Sequence, residues 1–203
     1  MLTDTILKNA FPKLSPKTRK MVLDAIGPAL TRYDITTPKR LAAFLGQTAH
    51  ESGMFAHRLE NLNYSAQGLI RTWPTRFNEA NASYYARDPT RIANRVYGGR
   101  LGNLPETSGD AARWIGRGFL QVTGKANYQS FATAMGMTLD EAVAYLETDI
   151  GAFMSAAWFW DREALNQYAD KWQITVISKR INGGTNGLAD RIALSNACLK
   201  ALS

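Results

Sequence analysis

The sequence predicts a mainly α-helical protein, interrupted by one long irregular segment and carrying at most a short β-hairpin. Three observations point there. Helix-start signals recur along the chain, apolar residues between them repeat with helical rather than alternating period, and residues 98–124 change texture to a Gly-rich loop. At 203 residues the chain has room for a single domain, with one core or split into two lobes around a cleft.

The elements follow in order. "SPKTRKMVLDAIGPALTRY" reads as a helix opened by Ser15 and Pro16 and kinked or interrupted at Pro28, where the ring removes a backbone donor. "TPKRLAAFLGQTAHES" opens at Thr37 and Pro38 and should stop near Gly53. "DPTRIANRVYGG" opens at Asp88 and Pro89 and ends at Gly98 and Gly99, since glycine tolerates a left-handed cap. Residues 98–124, "GGRLGNLPETSGDAARWIGRGFLQVTG", have loop composition, and a segment this long and irregular usually binds or catalyses something. "TLDEAVAYLE" has Thr138 and Glu141 at capping-box spacing. "GAFMSAAWFWDRE", "QITVISKRING" and "NGLADRIALSNACLKAL" complete the helices.

The chain holds two histidines, His50 and His57, and both fall within "AHESGMFAHRLE" beside Glu51 and Glu60. On a helix over 38–52, Glu51 shares a face with Phe44, Gln47 and Thr48, a partly apolar setting suited to a proton-donating carboxyl. Glu60 would lie about half a turn round and ~13 Å along a continuous helix, but Gly53 lets the chain fold back, so that the two carboxyls can face each other across a cleft. A pair ~6.5–9.5 Å apart serves inverting glycoside hydrolysis, one protonating the leaving oxygen and one activating water. Spacing alone does not separate this from two solvent-facing glutamates. A metal site on the histidines lacks HExxH and any nearby cysteine, and a Ser–His–Asp site lacks the G-x-S-x-G elbow. No metal and no cofactor is expected.

Four stretches, "FLGQTAHESGMFAHRLENLNYSAQGLIRTWPTRF", "RIANRVYGGRLGN", "WIGRGFLQVTGKANYQSFATAMG" and "INGGTNGLADRIALSNACL", occur in the order found in the phage and bacterial branch of glycoside hydrolase family 19. Over roughly residues 38–200 the chain resembles that family of chitinases and endolysins. The resemblance implies a lysozyme-like, two-lobed helical domain with a central cleft for β-1,4-linked amino sugars, and inverting hydrolysis without a cofactor. It places Glu51 on the general acid, Glu60 on the general base and Thr123 on the position that holds the attacking water. Gln121, Asn127 and Asn182 match substrate-side positions, and Arg191 a charge-network position. Taken by themselves, Thr123, Gln121 and Asn127 fit ordinary turn or cap roles better than a binding site, Asn182 also fits a helix C-cap with Gly183, and Arg191 a surface cation. Tyr97 and Trp114 border the irregular segment and are the aromatic candidates for sugar stacking, whereas Trp158, Phe159 and Trp160 read as packing. Where family members often carry a Tyr-Arg pair before "GRG", this chain has Trp114 and Ile115.

Charge narrows the partners. Lys and Arg number 24 against 17 Asp and Glu, a net charge of +7, which favours an anionic partner. Cys198 stands alone, so no internal disulfide framework exists, and no run of about 18 apolar residues offers a membrane span. No helix-turn-helix or single-strand-binding motif supports nucleic acid as the partner. The expectation is therefore an endolysin: a monomeric single catalytic domain over 1–203, without a separate wall-binding module, made in the host bacterial cytoplasm. It would act on the glycan strands of periplasmic peptidoglycan after a pore-forming holin grants access, with no nucleic-acid partner and no stable membrane insertion. A chitinase with the same machinery and a non-catalytic wall-binding module are the alternatives.

Overall fold

A computed structural model describes residues 2–203. Among the described residues the chain forms helices α1 (Asp4–Ala10), α2 (Pro16–Arg32), α3 (Pro38–Glu51), α4 (Ala66–Thr72), α5 (Ala82–Tyr85), α6 (Pro89–Tyr97), α7 (Lys125–Met135), α8 (Leu139–Leu146), α9 (Asp149–Arg162), α10 (Asn166–Asp170), α11 (Ile174–Asn182) and α12 (Leu188–Leu202). Two 3-10 turns, Glu106–Ser108 and Asp110–Trp114, occupy part of the Gly-rich segment. The only β pairing among the described residues is a pair of isolated bridges, Leu59 with Arg117 and Arg117 with Val122.

The caps explain the helix starts. Ser15, Thr37, Asp88 and Thr148 each accept a hydrogen bond from the backbone N–H three residues on, and the first three are followed by proline, whose missing N–H costs nothing in a first turn. At α8 the box closes both ways: Thr138 N donates to Glu141 Oε2 at 2.8 Å and Glu141 N to Thr138 Oγ1 at 3.3 Å. Pro28 does not interrupt α2, which runs through it. Gly27 and Pro28 are exposed, so water can reach the carbonyl that proline leaves without a donor, and Gly27 has no Cβ to clash with the ring. Of the two glycines that end α6, Gly99 is left-handed and Gly98 is not. Gly98 is needed for space instead, since a Cβ there would stand 2.5 Å from Asn94 O.

The chain divides into two compact units. The first comprises Met1–Arg58, Gly118–Leu120 and Ala144–Ser203. In it α12 lies along α3, and α9 packs on α2. The α3–α12 crossing is tight: a Cβ on Gly46 would stand 2.3 Å from Ser195 Oγ and 2.6 Å from Ser195 N. Phe11, Phe55, Phe119 and Phe153 form one aromatic cluster, with ring centroids 4.7–6.0 Å apart, while Phe44 meets Trp160 edge-on at 5.5 Å. Trp158 and Trp160 are buried core, as their apolar helix predicts.

The second unit comprises Leu59–Arg117 and Gln121–Val143. Its core gathers Leu62, Leu69, Phe77, Ile92 and Val96, with Trp73, Tyr85 and Tyr97 packed against it. The Gly-rich segment is anchored through Arg117, whose Nη1 donates to Arg113 O at 2.9 Å and to Tyr128 Oη at 2.8 Å. Trp114 corrects an expectation. It is 2% exposed, packs edge-on against Tyr128 and donates its Nε1–H to Asp110 Oδ1 at 3.0 Å, so it offers no open face to a sugar.

Candidate active site

In the first unit the candidate residues converge at the end of α3. Glu51 is the last residue of that helix, Ser52 caps it, and Gly53 turns away at φ +57. Phe44 points into the core, so the neighbour that Glu51 meets is Arg191 of α12, whose Nη2 donates to Glu51 Oε1 at 2.5 Å. The Arg191 side chain is 3% exposed and that of Glu51 25%, so the guanidinium is enclosed while the carboxylate keeps an open side. Arg191 is held twice more, by Gln47 Oε1 at 2.9 Å and by Asn186 O at 3.3 Å. Asn182, the last residue of α11, donates to the same Asn186 carbonyl at 2.8 Å and accepts from Gly184 N at 2.7 Å. Asn182 and Arg191 therefore share one loop carbonyl, and the amide of Asn182 is engaged in shaping that loop.

The neighbouring pair runs parallel. His50 Nδ1 lies 2.6 Å from Asp190 Oδ2, so consecutive residues of α3 pair with consecutive residues of α12. His57 is exposed and lies close over Gly53. Among the described residues no group of three or more His, Cys, Asp or Glu side chains is placed to hold a metal ion.

In the second unit the site is built around Glu60. Its backbone N–H donates to Gly116 O at 2.9 Å, and Gly116 N returns a bond to Glu60 Oε2 at 3.0 Å. Tyr97 Oη donates to Glu60 Oε1 at 2.5 Å. Burial, and then the facing Glu60 carboxylate, push the Tyr97 hydroxyl far above its ordinary value of 10, so the proton stays on Tyr97. Both Glu60 oxygens are thereby held, while each retains a lone pair for a further donor such as water.

Thr123 and Gln121 flank the same glycine. A Cβ on residue 116 would stand 3.1 Å from Thr123 Oγ1 and 2.3 Å from Gln121 Oε1, so the bare glycine leaves the space in which these side chains close over the backbone that holds Glu60. Thr123 Oγ1 donates to Gln121 O at 3.2 Å, and Asn127 Nδ2 donates to Thr123 O at 2.7 Å. Glu60, Tyr97, Thr123, Gln121 and Asn127 thus gather in one unit, and Glu51, Arg191 and Asn182 in the other. Sequence reasoning missed Gly116, whose only signal was its place in the Gly-rich run, and it assigned Tyr97 a stacking face rather than a hydroxyl aimed at Glu60.

A protein of Haemophilus influenzae described as "Glycosyl hydrolase family 19 domain-containing protein" is 36% identical over 199 residues, covering 98% of each chain. The chain belongs to glycosyl hydrolase family 19. It is therefore a glycoside hydrolase. The endochitinase 1 of Theobroma cacao is 33% identical over 135 residues, 65% of this chain and 36% of its own. Among solved structures, chitinase C from Streptomyces griseus HUT6037 superposes with a TM-score of 0.62 at 18% identity, covering 98% of this chain and 76% of that one. That likeness shows the lysozyme-like, mainly helical fold. No protein-family profile matches the chain.

Proposed function

We propose that this family 19 hydrolase is an endolysin that cleaves the β-1,4 glycosidic bonds of bacterial peptidoglycan with inversion. Glu51 protonates the leaving glycosidic oxygen, and Glu60 deprotonates a water held by Thr123, which attacks the anomeric carbon. Support for the second role is the setting of Glu60: Tyr97 and Gly116 fix the carboxylate, and the Thr123 hydroxyl stands beside the same glycine. Arg191 orients Glu51, Gln121 and Asn127 face the sugar, and Asn182 contributes through the loop that it braces beside Arg191. In the cell, the chain is made in the cytoplasm and reaches the wall through a holin pore.

The observation that carries the choice of substrate is charge. A net +7 accelerates encounter with a polyanion, and peptidoglycan carries free carboxylates on its stem peptides, whereas chitin is neutral. Chitin is the second reading, favoured by the similarity to an endochitinase. The test is hydrolysis of purified peptidoglycan and of a chitin hexamer by the wild type, Glu51→Gln and Glu60→Gln over a range of salt. The expected result is peptidoglycan cleavage that slows as salt rises and is lost in both variants while their helical circular dichroism is kept. Turnover by folded Glu51→Gln would overturn the acid assignment, and cleavage of the hexamer alone would make the chain a chitinase.

A further inference from the structure

We infer that Gln47 is a positioning residue: its buried amide fixes the rotation of the Arg191 guanidinium and so reserves one edge of that cation for Glu51. The inference rests on the reading of Glu51 as proton donor. Gln47 sits one turn before Glu51 on α3 and is 0% exposed. Its two ends are not interchangeable. A guanidinium can only donate, so the atom that meets Arg191 Nη1 at 2.9 Å must be the amide oxygen, and the NH2 must then face Ser178 Oγ at 3.1 Å. Ser178 is prepared for that role, because its own proton is given to Ile174 O at 2.8 Å one turn back on α11. Donation runs in one direction, from Arg191 through Gln47 and Ser178 to the α11 backbone at Ile174 O.

Two consequences follow. With Nη1 held by Gln47 and Nε by Asn186 O, the remaining nitrogen, Nη2, is the one presented to Glu51. The neutral amide also satisfies Arg191 without competing for its charge. A glutamate of nearly the same size at 47 would set a second carboxylate on the same cation and leave Ser178 facing an acceptor instead of a donor. The same network also ties α3, α11 and α12 together, so a purely structural role has to be separated from positioning. A structural staple changes melting temperature; a positioning residue changes the turnover of the folded enzyme.

The experiment compares Gln47→Glu, Gln47→Met, Ser178→Ala, Glu51→Gln and, as a control at the same α3–α12 crossing, Ser195→Ala. It reads kcat and KM on purified peptidoglycan and on a chitin hexamer, with folded fraction taken from circular dichroism. Both Gln47 variants are expected to lower kcat about 10- to 100-fold with KM within about twofold. Ser178→Ala should lower kcat by a smaller factor, and Ser195→Ala should leave it unchanged. Wild-type kcat in folded Gln47 variants overturns the inference, whatever their melting temperatures. If neither Gln47 variant folds, Ser178→Ala decides, because it deletes one hydroxyl from the same chain of bonds: wild-type kcat there is equally fatal. Glu51→Gln separates the two levels. If that variant turns over, the reading of Glu51 falls; if it is inactive while the Gln47 and Ser178 variants match wild type, only the positioning role falls.

Discussion

Tyr97→Phe separates the two things a tyrosine beside a sugar-cleaving site can do. The ring is retained, so any stacking on substrate survives; the hydroxyl that donates to Glu60 Oε1 at 2.5 Å is lost. A hydrogen bond to a charged group contributes about 1.5–3 kcal/mol, and the half-buried position of both residues places this one at the lower end, about 1.5 kcal/mol. If that energy holds Glu60 in the orientation that accepts a proton from water, its loss appears in kcat as about a tenfold fall. Gly116 N still holds the other oxygen, which is why complete loss is not expected. Steady-state kinetics at neutral pH is the assay, with kcat down about tenfold and KM within twofold. An unchanged kcat would refute the role of Tyr97 in holding the base. A rise in KM appearing only with Tyr97→Leu would restore the ring as a stacking platform.

Two further predictions concern stability. Gly46→Ala puts a methyl 2.3–2.7 Å from Ser195 atoms, two of them backbone, so overpacking of about 3 kcal/mol should outweigh the helix-propensity gain of about 1 kcal/mol and lower Tm by roughly 4–8 °C in a thermal melt; a higher Tm would contradict the tight crossing. Asp110 tests pH dependence. Burial works to raise its pKa, but the Trp114 indole, the Leu104 N–H and Lys125 outweigh it and hold the carboxyl below its ordinary 3.8. A lowered folded pKa contributes stability that is fully present above about 4 and is lost as pH falls through the folded value. Asp110→Asn should therefore be less stable than wild type at pH 6, with the gap closing in denaturant melts below about pH 4; a gap that stays constant to pH 2.5 would refute the linkage.

Local chemistry was legible where it decides the outcome. Ser15, Thr37, Asp88 and Thr138 start helices through bonds to amides three residues away, so nothing distant is needed to read them. Pro28 reads locally as a break, yet the packing of α2 on α9 carries the helix through it. The candidate site divides the same way. Glu51, Glu60 and Thr123 stood out by motif, and Gln47 was visible on the face of Glu51. What each side chain touches depends on partners far along the chain: Gln47 meets Ser178 and Arg191, 131 and 144 positions away, and Glu60 meets Tyr97 and Gly116, 37 and 56 positions away. Trp114 bordered a loop in sequence and lies in the core in space, because Tyr128 and Asp110 close around it.

The most direct measurement of the central claim is mass spectrometry of borohydride-reduced fragments released when the purified protein digests purified Gram-negative peptidoglycan. The expected result is new fragments ending in a reduced amino sugar, muramic acid if the muramidase bond is cut and glucosamine if the other one is. An intact wall under conditions where a chitin hexamer is cleaved would contradict peptidoglycan as the substrate, and an intact wall beside an intact hexamer would contradict glycan hydrolysis by this chain on either polymer.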